Sequence, residues 1–377
     1  MVETTKAVEH SIVVCAGDYC GPEVIAEGLK VLHEIASHYP HVQLNIKHHL
    51  IGGAAWDEHG VNITEEALGD AASASATLVG AVGGPKWQAV QPGVEWGLGR
   101  LRKKLDAFGN LRPIELVAPS LLECSSLKPE VCRGTNILII RELTGGVYFG
   151  ERREYSESND TAYDMDSYSR EEIVRVARLA GSLASKHEPP LQLTSVDKAN
   201  VLAACGRMWR RVVTQTIESE FPTVKLRHLL VDTAAMELVS HPTQLNGVLL
   251  TSNMFGDILS DEASAIVGSI GLLPSASLSA LPTDAGDGVR GLYEPIHGSA
   301  PDLHNKGTVN PIGTILAVAM MCRFSLGLEA AAKAIETAVR DTLEAGIRTP
   351  DLRGSSSTSE VGDAVVAALK RADFHAE

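Results

Sequence analysis

Asp257 and Asp261 lie in Asn253-Met254-Phe255-Gly256-Asp257-Ile258-Leu259-Ser260-Asp261-Glu262-Ala263, and their type and spacing can do chemistry. The apolar run Gly247-Val248-Leu249-Leu250 reads as a strand, and Gly256 opens a helix. Four residues apart, the two carboxylates lie ~40° apart around that helix, on one face. Leu259, Ala263 and Ile266 form the opposite, core-facing stripe. Like charges stacked this way cost roughly a few tenths of a kcal/mol unless a cation sits between them. Carboxylate oxygens one turn apart can also share a hard divalent ion such as Mg²⁺ or Mn²⁺. A solvated acidic face is the competing reading.

Arg102, Arg112 and Arg141 stand in a helix, just before a proline, and at a strand end. Singly each reads as a surface or salt-bridge residue. Together, in an acidic chain, they suit carboxylate binding, because the guanidinium fork matches a carboxylate bidentately. Tyr148, flanked by glycines, and Lys198, in Ser195-Val196-Asp197-Lys198-Ala199-Asn200, sit at junctions where a side chain can enter a cleft and move a proton. Gly286-Asp287-Gly288-Val289-Arg290-Gly291 fits G-x-G-x-x-G but follows no apolar strand, and Pro295 denies it a helix, so it is rejected as a dinucleotide fingerprint.

The elements that must position these groups alternate. Strands are expected at 11–15, 42–46, 76–82, 136–141, 191–196, 225–231 and 247–250, with a Ser/Leu-rich strand ending at Leu281. Helices are expected at 22–37, 65–74, 96–108, 170–186, 199–218, 233–240, 313–324, 328–345 and 360–371. Gly52-Gly53-Ala54-Ala55 reads as a loop, Gly83-Gly84-Pro85-Lys86-Trp87 as a rigid loop past a strand end, Leu111-Arg112-Pro113 as a break, Gly145–Gly150 as hairpin-like, and 151–168 as an excursion. Strand–helix alternation throughout makes the class α/β.

The chain has 377 residues, enough for two domains or one large one, with 44% hydrophobic and 21% charged residues, as in a soluble globular protein. A net charge of −14 argues against nucleic acid or anionic membrane as partner. Six cysteines without a C-x-x-C read as reduced, mostly buried thiols. The longest apolar run, Ile312–Cys322, is too short to span a bilayer, and the first residues show no signal or presequence pattern. Asn62-Ile63-Thr64 matches a glycosylation triplet by chance, and a cytoplasmic location is expected.

The ordered motifs add a resemblance. They are Gly17-Asp18-Tyr19-Cys20-Gly21-Pro22-Glu23-Val24, the 80–87 loop, Leu101-Arg102-Lys103, Asn110-Leu111-Arg112-Pro113, Arg141 to Gly150, Val196 to Leu202, the acidic helix, and Glu294-Pro295-Ile296-His297-Gly298-Ser299-Ala300-Pro301-Asp302. Over nearly its whole length the chain resembles the isopropylmalate dehydrogenases, within the β-decarboxylating family that includes isocitrate and tartrate dehydrogenases. The resemblance implies a two-domain, non-Rossmann α/β fold with the cleft between domains. Residues 1–108 plus 268–377 would bind cofactor. Residues 109–267 would bind substrate and metal and dimerise, with an arm near 151–168. It implies that Arg102, Arg112 and Arg141 bind malate carboxylates, that Asp232, Asp257 and Asp261 hold Mg²⁺ or Mn²⁺, and that Tyr148, Lys198 and Asp232 are catalytic. Lys198 and Asp232 would reach the partner subunit's site, making a homodimer. NAD would be bound by Gly83, Lys86, Asn200, Glu294, His297, Gly298, Ser299, Ala300, Pro301, Asp302 and Asn310. The Asp302 carboxylate would accept ribose hydroxyls and repel a 2′-phosphate.

Substrate choice is expected from Glu95, Leu98, Gly99 and Val201. Isocitrate-using relatives carry Ser and Asn just before the first arginine, whereas this chain has Trp96 and Leu98. Isopropylmalate-using relatives read E-x-G-L-L-x-[LI]-R, whereas this chain reads Glu95-Trp96-Gly97-Leu98-Gly99-Arg100-Leu101-Arg102. Either a neighbour such as Trp96 compensates for Gly99, or the pocket is widened for a larger 3-substituent, such as a benzyl-type malate in a chain-elongation pathway. A catalytically inactive regulatory or binding subunit is the reading from another class; it should lack Tyr148, Lys198 or an aspartate ligand, and all are present.

Overall fold

The computed structural model describes residues 8–157, 160–282 and 288–372. In chain order the strands are β1 (Val8–Gly17), β2 (Val42–His48), β3 (Ala76–Ala81), β4 (Gly109–Glu115), β5 (Asn136–Glu142), β6 (Arg152–Arg153), β7 (Tyr163–Asp164), β8 (Leu193–Asp197), β9 (Leu226–Leu230), β10 (Gly247–Thr251), β11 (Pro274–Leu278) and β12 (Gly291–Pro295). The helices are α1 (Gly21–His38), α2 (Gly53–His59), α3 (Glu65–Ser73), α4 (Trp96–Lys104), α5 (Pro129–Cys132), α6 (Arg170–Ser185), α7 (Ala203–Glu220), α8 (Val231–Ser240), α9 (Asn253–Val267), α10 (Ile312–Phe324), α11 (Glu329–Glu344) and α12 (Thr358–Leu369).

The chain divides into two units. Unit 1 comprises Met1–Ala107, Val117–Ser125 and Val267–Glu377; unit 2 comprises Phe108–Leu116 and Ser126–Ile266. A single cut near residue 108 puts residues 117–125 with the second domain, whereas the structure returns Val117–Ser125 to unit 1.

Unit 1 orders its strands β2-β1-β3-β12-β11, parallel except for the β11–β12 pair. Every residue of β3 is buried, as expected of a strand covered on both faces. One cover joins Val13, Cys15 and Val79 of the sheet to Ala67, Leu68 and Ala71 of α3 and Leu101 of α4. In α10 all residues from Ile312 to Cys322 are buried, so the helix is apolar all round.

Unit 2 orders its strands β4-β5-β10-β8-β9, with β4–β5 antiparallel and the rest parallel. Parallel neighbours need crossover helices, which α6, α7 and α8 supply. The 151–168 excursion contains the two-residue antiparallel strands β6 and β7. Along α9, Leu259, Ala263 and Ile266 are buried, as the helical period predicts.

Four segments differ from expectation. Gly53–His59 is a helix rather than a loop, because Asp18 reaches over from a distant turn and accepts the Gly53 and Ala54 N–H groups at 2.9 and 2.8 Å. Those donors open the helix and need an acceptor that no neighbouring residue supplies. Leu111-Arg112-Pro113 lies inside β4, held by register with Ile140, Ile139 and Leu138 of β5. Gly291–Pro295, part of which closes the rejected glycine motif, is a buried strand between β3 and β11. Residues 286 and 287 of that motif lie outside the described residues. Gly146–Tyr148 forms a 3₁₀ turn rather than a hairpin.

Candidate active site

In unit 2, β4 and β5 aim two arginines at the acidic face of α9. Arg112 is buried; its Nε donates to Asn110 at 2.7 Å and its Nη1 to Ser260 at 2.6 Å. That Nη1 also lies 3.6 Å from Asp257 and 3.7 Å from Asp261. A cation therefore stands between the stacked carboxylates, which removes the cost of their repulsion. Arg141, also buried, donates from Nε to Asn253 at 2.9 Å and from Nη1 to Asp257. Burial pushes the Asp261 carboxyl up, opposed by the Arg112 charge.

Tyr148 joins the same group. Its hydroxyl donates to Asp257, and its ring centroid lies 5.3 Å from the Arg141 guanidinium carbon. The turn that presents it requires glycine at 146: φ is 72°, and a Cβ would meet the Tyr168 hydroxyl at 2.3 Å. Buried Glu142 anchors the preceding segment by accepting the Thr144 and Gly145 N–H groups, and burial pushes its own carboxyl up.

Lys198 and Asp232 meet each other at 2.8 Å, from the turn after β8 and the first turn of α8. The lysine's hydrogen bond holds the Asp232 carboxyl below the usual carboxylate range. Among the described residues no three His, Cys, Asp or Glu side chains gather as a metal site, so within one chain Asp232 stands apart from Asp257 and Asp261. Asn200 and Val201, on the same turn as Lys198, are exposed, Val201 at 66%.

Unit 1 carries the remaining expected residues. Arg102 donates to buried Glu294 at 2.6 Å, so a residue expected to bind substrate and one expected to bind cofactor form one ion pair. Glu95 lies against Gly83, whose φ is 97° and where a Cβ would meet the Glu95 carboxylate at 2.2 Å. Lys86 pairs with Asp57 at 2.6 Å. Leu98 packs on the core cover. The ring of Trp96 lies over Gly99: a Cβ there would stand 2.9 Å from Cε3 and 3.0 Å from Cζ3.

A pocket of about 360 Å³ in unit 1 is lined by His297, Gly298, Ala300 and Asn310 of the expected set. Ser269, Ile270, Gly271, Leu303, Thr308, Val309, Pro350 and Asp351 complete its wall. Ser299, Pro301 and Asp302 belong to the same chain turn. The His297 Nδ1 lies 2.8 Å from the Gly298 carbonyl, while its buried Nε2 has no hydrogen-bond partner. Burial pulls the imidazole below its ordinary value, opposed by its bond to the Gly298 carbonyl and by the Asp351 charge. Asp351 accepts from Ser269, Thr349 and Asn310. It escaped the sequence reading because its Pro-Asp-Leu setting signals only a turn.

These groups, carried on two α/β units, define an enzyme. The chain belongs to the isocitrate/isopropylmalate dehydrogenase family, whose profile matches residues 11–365, and is an oxidoreductase of that family. It is 67% identical to 3-isopropylmalate dehydrogenase AMT6 of Alternaria alternata over 96% of this chain and 98% of that one. It is 54% identical to 3-isopropylmalate dehydrogenase of Neurospora crassa, over 96% and 98%. Among solved structures, isocitrate dehydrogenase from Methylococcus capsulatus superposes with a TM-score of 0.83 at 29% identity, covering 96% of this chain and 100% of that one. The β-decarboxylating dehydrogenase from Thermococcus kodakarensis gives 0.76 at 32%, covering 96% of each. Among the described residues no helix is long and apolar enough to cross a membrane.

Proposed function

We propose that this chain catalyses NAD⁺-dependent oxidative decarboxylation of (2R,3S)-3-isopropylmalate to 4-methyl-2-oxopentanoate, a step of leucine biosynthesis in the cytoplasm. The observation that carries the reading is the convergence of Arg141 and Tyr148 on Asp257, which puts an anion anchor beside a proton donor. The printed names of the relatives at 67% and 54% identity support the substrate.

Arg102, Arg112 and Arg141 are the groups that bind the malate carboxylates. Lys198, held by Asp232 at 2.8 Å, is the group that accepts the C2 hydroxyl proton as the C2 hydride departs. The C3–carboxylate bond then breaks, CO₂ leaves, and the electron pair moves toward the C2 carbonyl. Tyr148 donates the proton that completes C3.

Asp257, Asp261 and Asp232 are hard oxygen donors that fit Mg²⁺ or Mn²⁺. The unit 1 pocket, about 360 Å³ and walled by His297, Gly298, Ala300 and Asn310, suits the adenosine end of NAD. When bound, the ion supplies Lewis-acid polarisation at the C2 oxygen and nicotinamide supplies the hydride acceptor. The Asp302 carboxylate accepts the ribose hydroxyls and disfavours a 2′-phosphate.

A homodimer unites Asp232 with the acidic pair. Met236 and Val239 are exposed on α8 one and two turns beyond Asp232, and Met254 and Ile258 are exposed beside Asp257 on α9. Apolar faces placed this way suit a second copy.

The indole over Gly99 fills space that a leucine would otherwise take, which favours compensation over a widened pocket. The test is NAD⁺ reduction with Mg²⁺ by purified protein, comparing 3-isopropylmalate with 3-benzylmalate, and NAD⁺ with NADP⁺. Preference for isopropylmalate and NAD⁺ is expected. Preference for benzylmalate would move the same chemistry to a chain-elongation pathway, and turnover of neither would leave the inactive-subunit reading.

A further inference from the structure

Asn253 is buried where β10 gives way to α9, and three of its polar groups are engaged by segments distant in sequence. Its side-chain Oδ1 accepts from Arg141 Nε at 2.9 Å, and its Nδ2 donates to the Gly145 carbonyl at 2.9 Å. Its backbone N–H donates to the Tyr168 hydroxyl at 2.9 Å. The amide orientation is dictated by its partners, because Arg141 offers only donors and the Gly145 carbonyl only an acceptor.

One turn further along α9, Asp257 takes Arg141 Nη1 and the Tyr148 hydroxyl. Arg141 is therefore gripped at two nitrogens by residues four apart on one helix. The 145–148 turn is likewise gripped at both ends. Its start is held between Glu142, on the Gly145 N–H, and Asn253, on the Gly145 carbonyl. Its end is held by Asp257 on the Tyr148 hydroxyl.

We propose that Asn253 is a positioning residue that holds the Arg141 guanidinium and the Tyr148 hydroxyl at a set separation through its two side-chain bonds. One bond acts on carboxylate binding and the other on proton donation, so the two effects can be separated by substitution. The proposal rests on the function given above.

Asn253→Asp is isosteric. Its carboxylate still accepts from Arg141 and strengthens that bond by charge. It cannot donate to the Gly145 carbonyl, and it sets an oxygen against an oxygen there. Asn253→Ala removes both bonds. Groups that orient active residues typically cost about 10–100-fold in activity when lost. With saturating NAD⁺ and Mg²⁺, Asn253→Asp should lower kcat by about tenfold or more while KM for the malate stays within about threefold of wild type. Asn253→Ala should lower kcat and raise KM together. In a Tyr148→Phe background Asn253→Asp should lower kcat no further, because its effect runs through the tyrosine.

A role confined to stability would lower Tm and leave the constants per folded molecule unchanged; that result overturns the proposal. So does Asn253→Asp raising KM as Asn253→Ala does, or lowering kcat equally with and without the Tyr148 hydroxyl. Wild type inactive on every malate would overturn the proposed function and this role together, whereas active wild type with kinetically silent variants overturns this role alone.

Discussion

The six-membered ring of Trp96 crowds the place that a Cβ on Gly99 would take, one helical turn along α4. A leucine at 99 cannot share that space, so Gly99→Leu should turn the indole out toward solvent. The indole emission should then shift to the red. The ratio of kcat/KM for isopropylmalate to that for benzylmalate should change by roughly tenfold, the discrimination that a few methylenes carry in an apolar pocket. An unchanged ratio with a displaced indole would remove Trp96 and Gly99 from substrate selection.

Tyr148→Phe keeps the ring beside the Arg141 guanidinium, at 5.3 Å, and removes only the hydroxyl. Carboxylate binding should survive and proton donation should not. The expected result is a fall in kcat of roughly 10²–10⁴-fold with KM changed little. Steady-state kinetics decide it; a rise in KM at constant kcat would make Tyr148 a binding group instead.

Burial holds His297 below its ordinary value of 6.5, opposed in part by its bond to Gly298 and by the Asp351 charge. The unfolded imidazole takes up its proton from about pH 6.5 downward, and the folded one only at lower pH. Its contribution to stability is thus present in full above about pH 6.5 and is lost as pH falls from there through the folded value. His297→Asn keeps a donor to the Gly298 carbonyl and does not titrate. Its Tm should fall less steeply between neutral and acid pH than that of wild type, with a residual slope from His228 and His10, which burial also lowers. Parallel acid slopes would assign the loss elsewhere.

Lys198→Met and Tyr148→Phe should each be nearly inactive alone. If Lys198 and Asp232 complete the partner subunit's site, mixing and reassociating the two variants gives hybrids with one intact site. Recovery of about a quarter of wild-type activity is then expected for a two-fold dimer. No recovery, in mixtures shown by labelled subunits to have exchanged, would place Lys198 and Tyr148 in one chain's site. Ile258→Glu, on the exposed apolar face of α9, should shift the protein toward monomer in sedimentation.

Much of the fold was legible because it is written in periodicity. The α9 stripe of Leu259, Ala263 and Ile266 and the acid pair opposite it follow from 3.6 residues per turn alone. Strong propensity likewise marked β1, α6 and α10. Segments were misread where their partners lie far away in sequence. Gly53–His59 looks like a loop until Asp18 supplies its missing acceptor. Gly291–Pro295 has little strand character of its own and is a strand because β3 and β11 pair with it.

The site divides the same way. The sequence by itself determined which chemistries were at hand: guanidinium for carboxylates, aspartates one turn apart for a cation, and a tyrosine and a lysine for protons. Only the tertiary structure decided that Arg112 lies between Asp257 and Asp261, that Asp257 receives Arg141 and Tyr148 together, and that Trp96 covers Gly99. Side-chain type and helical spacing are local properties, whereas the partner that completes a charge or fills a volume arrives from another strand or rotamer and is set only when the chain packs.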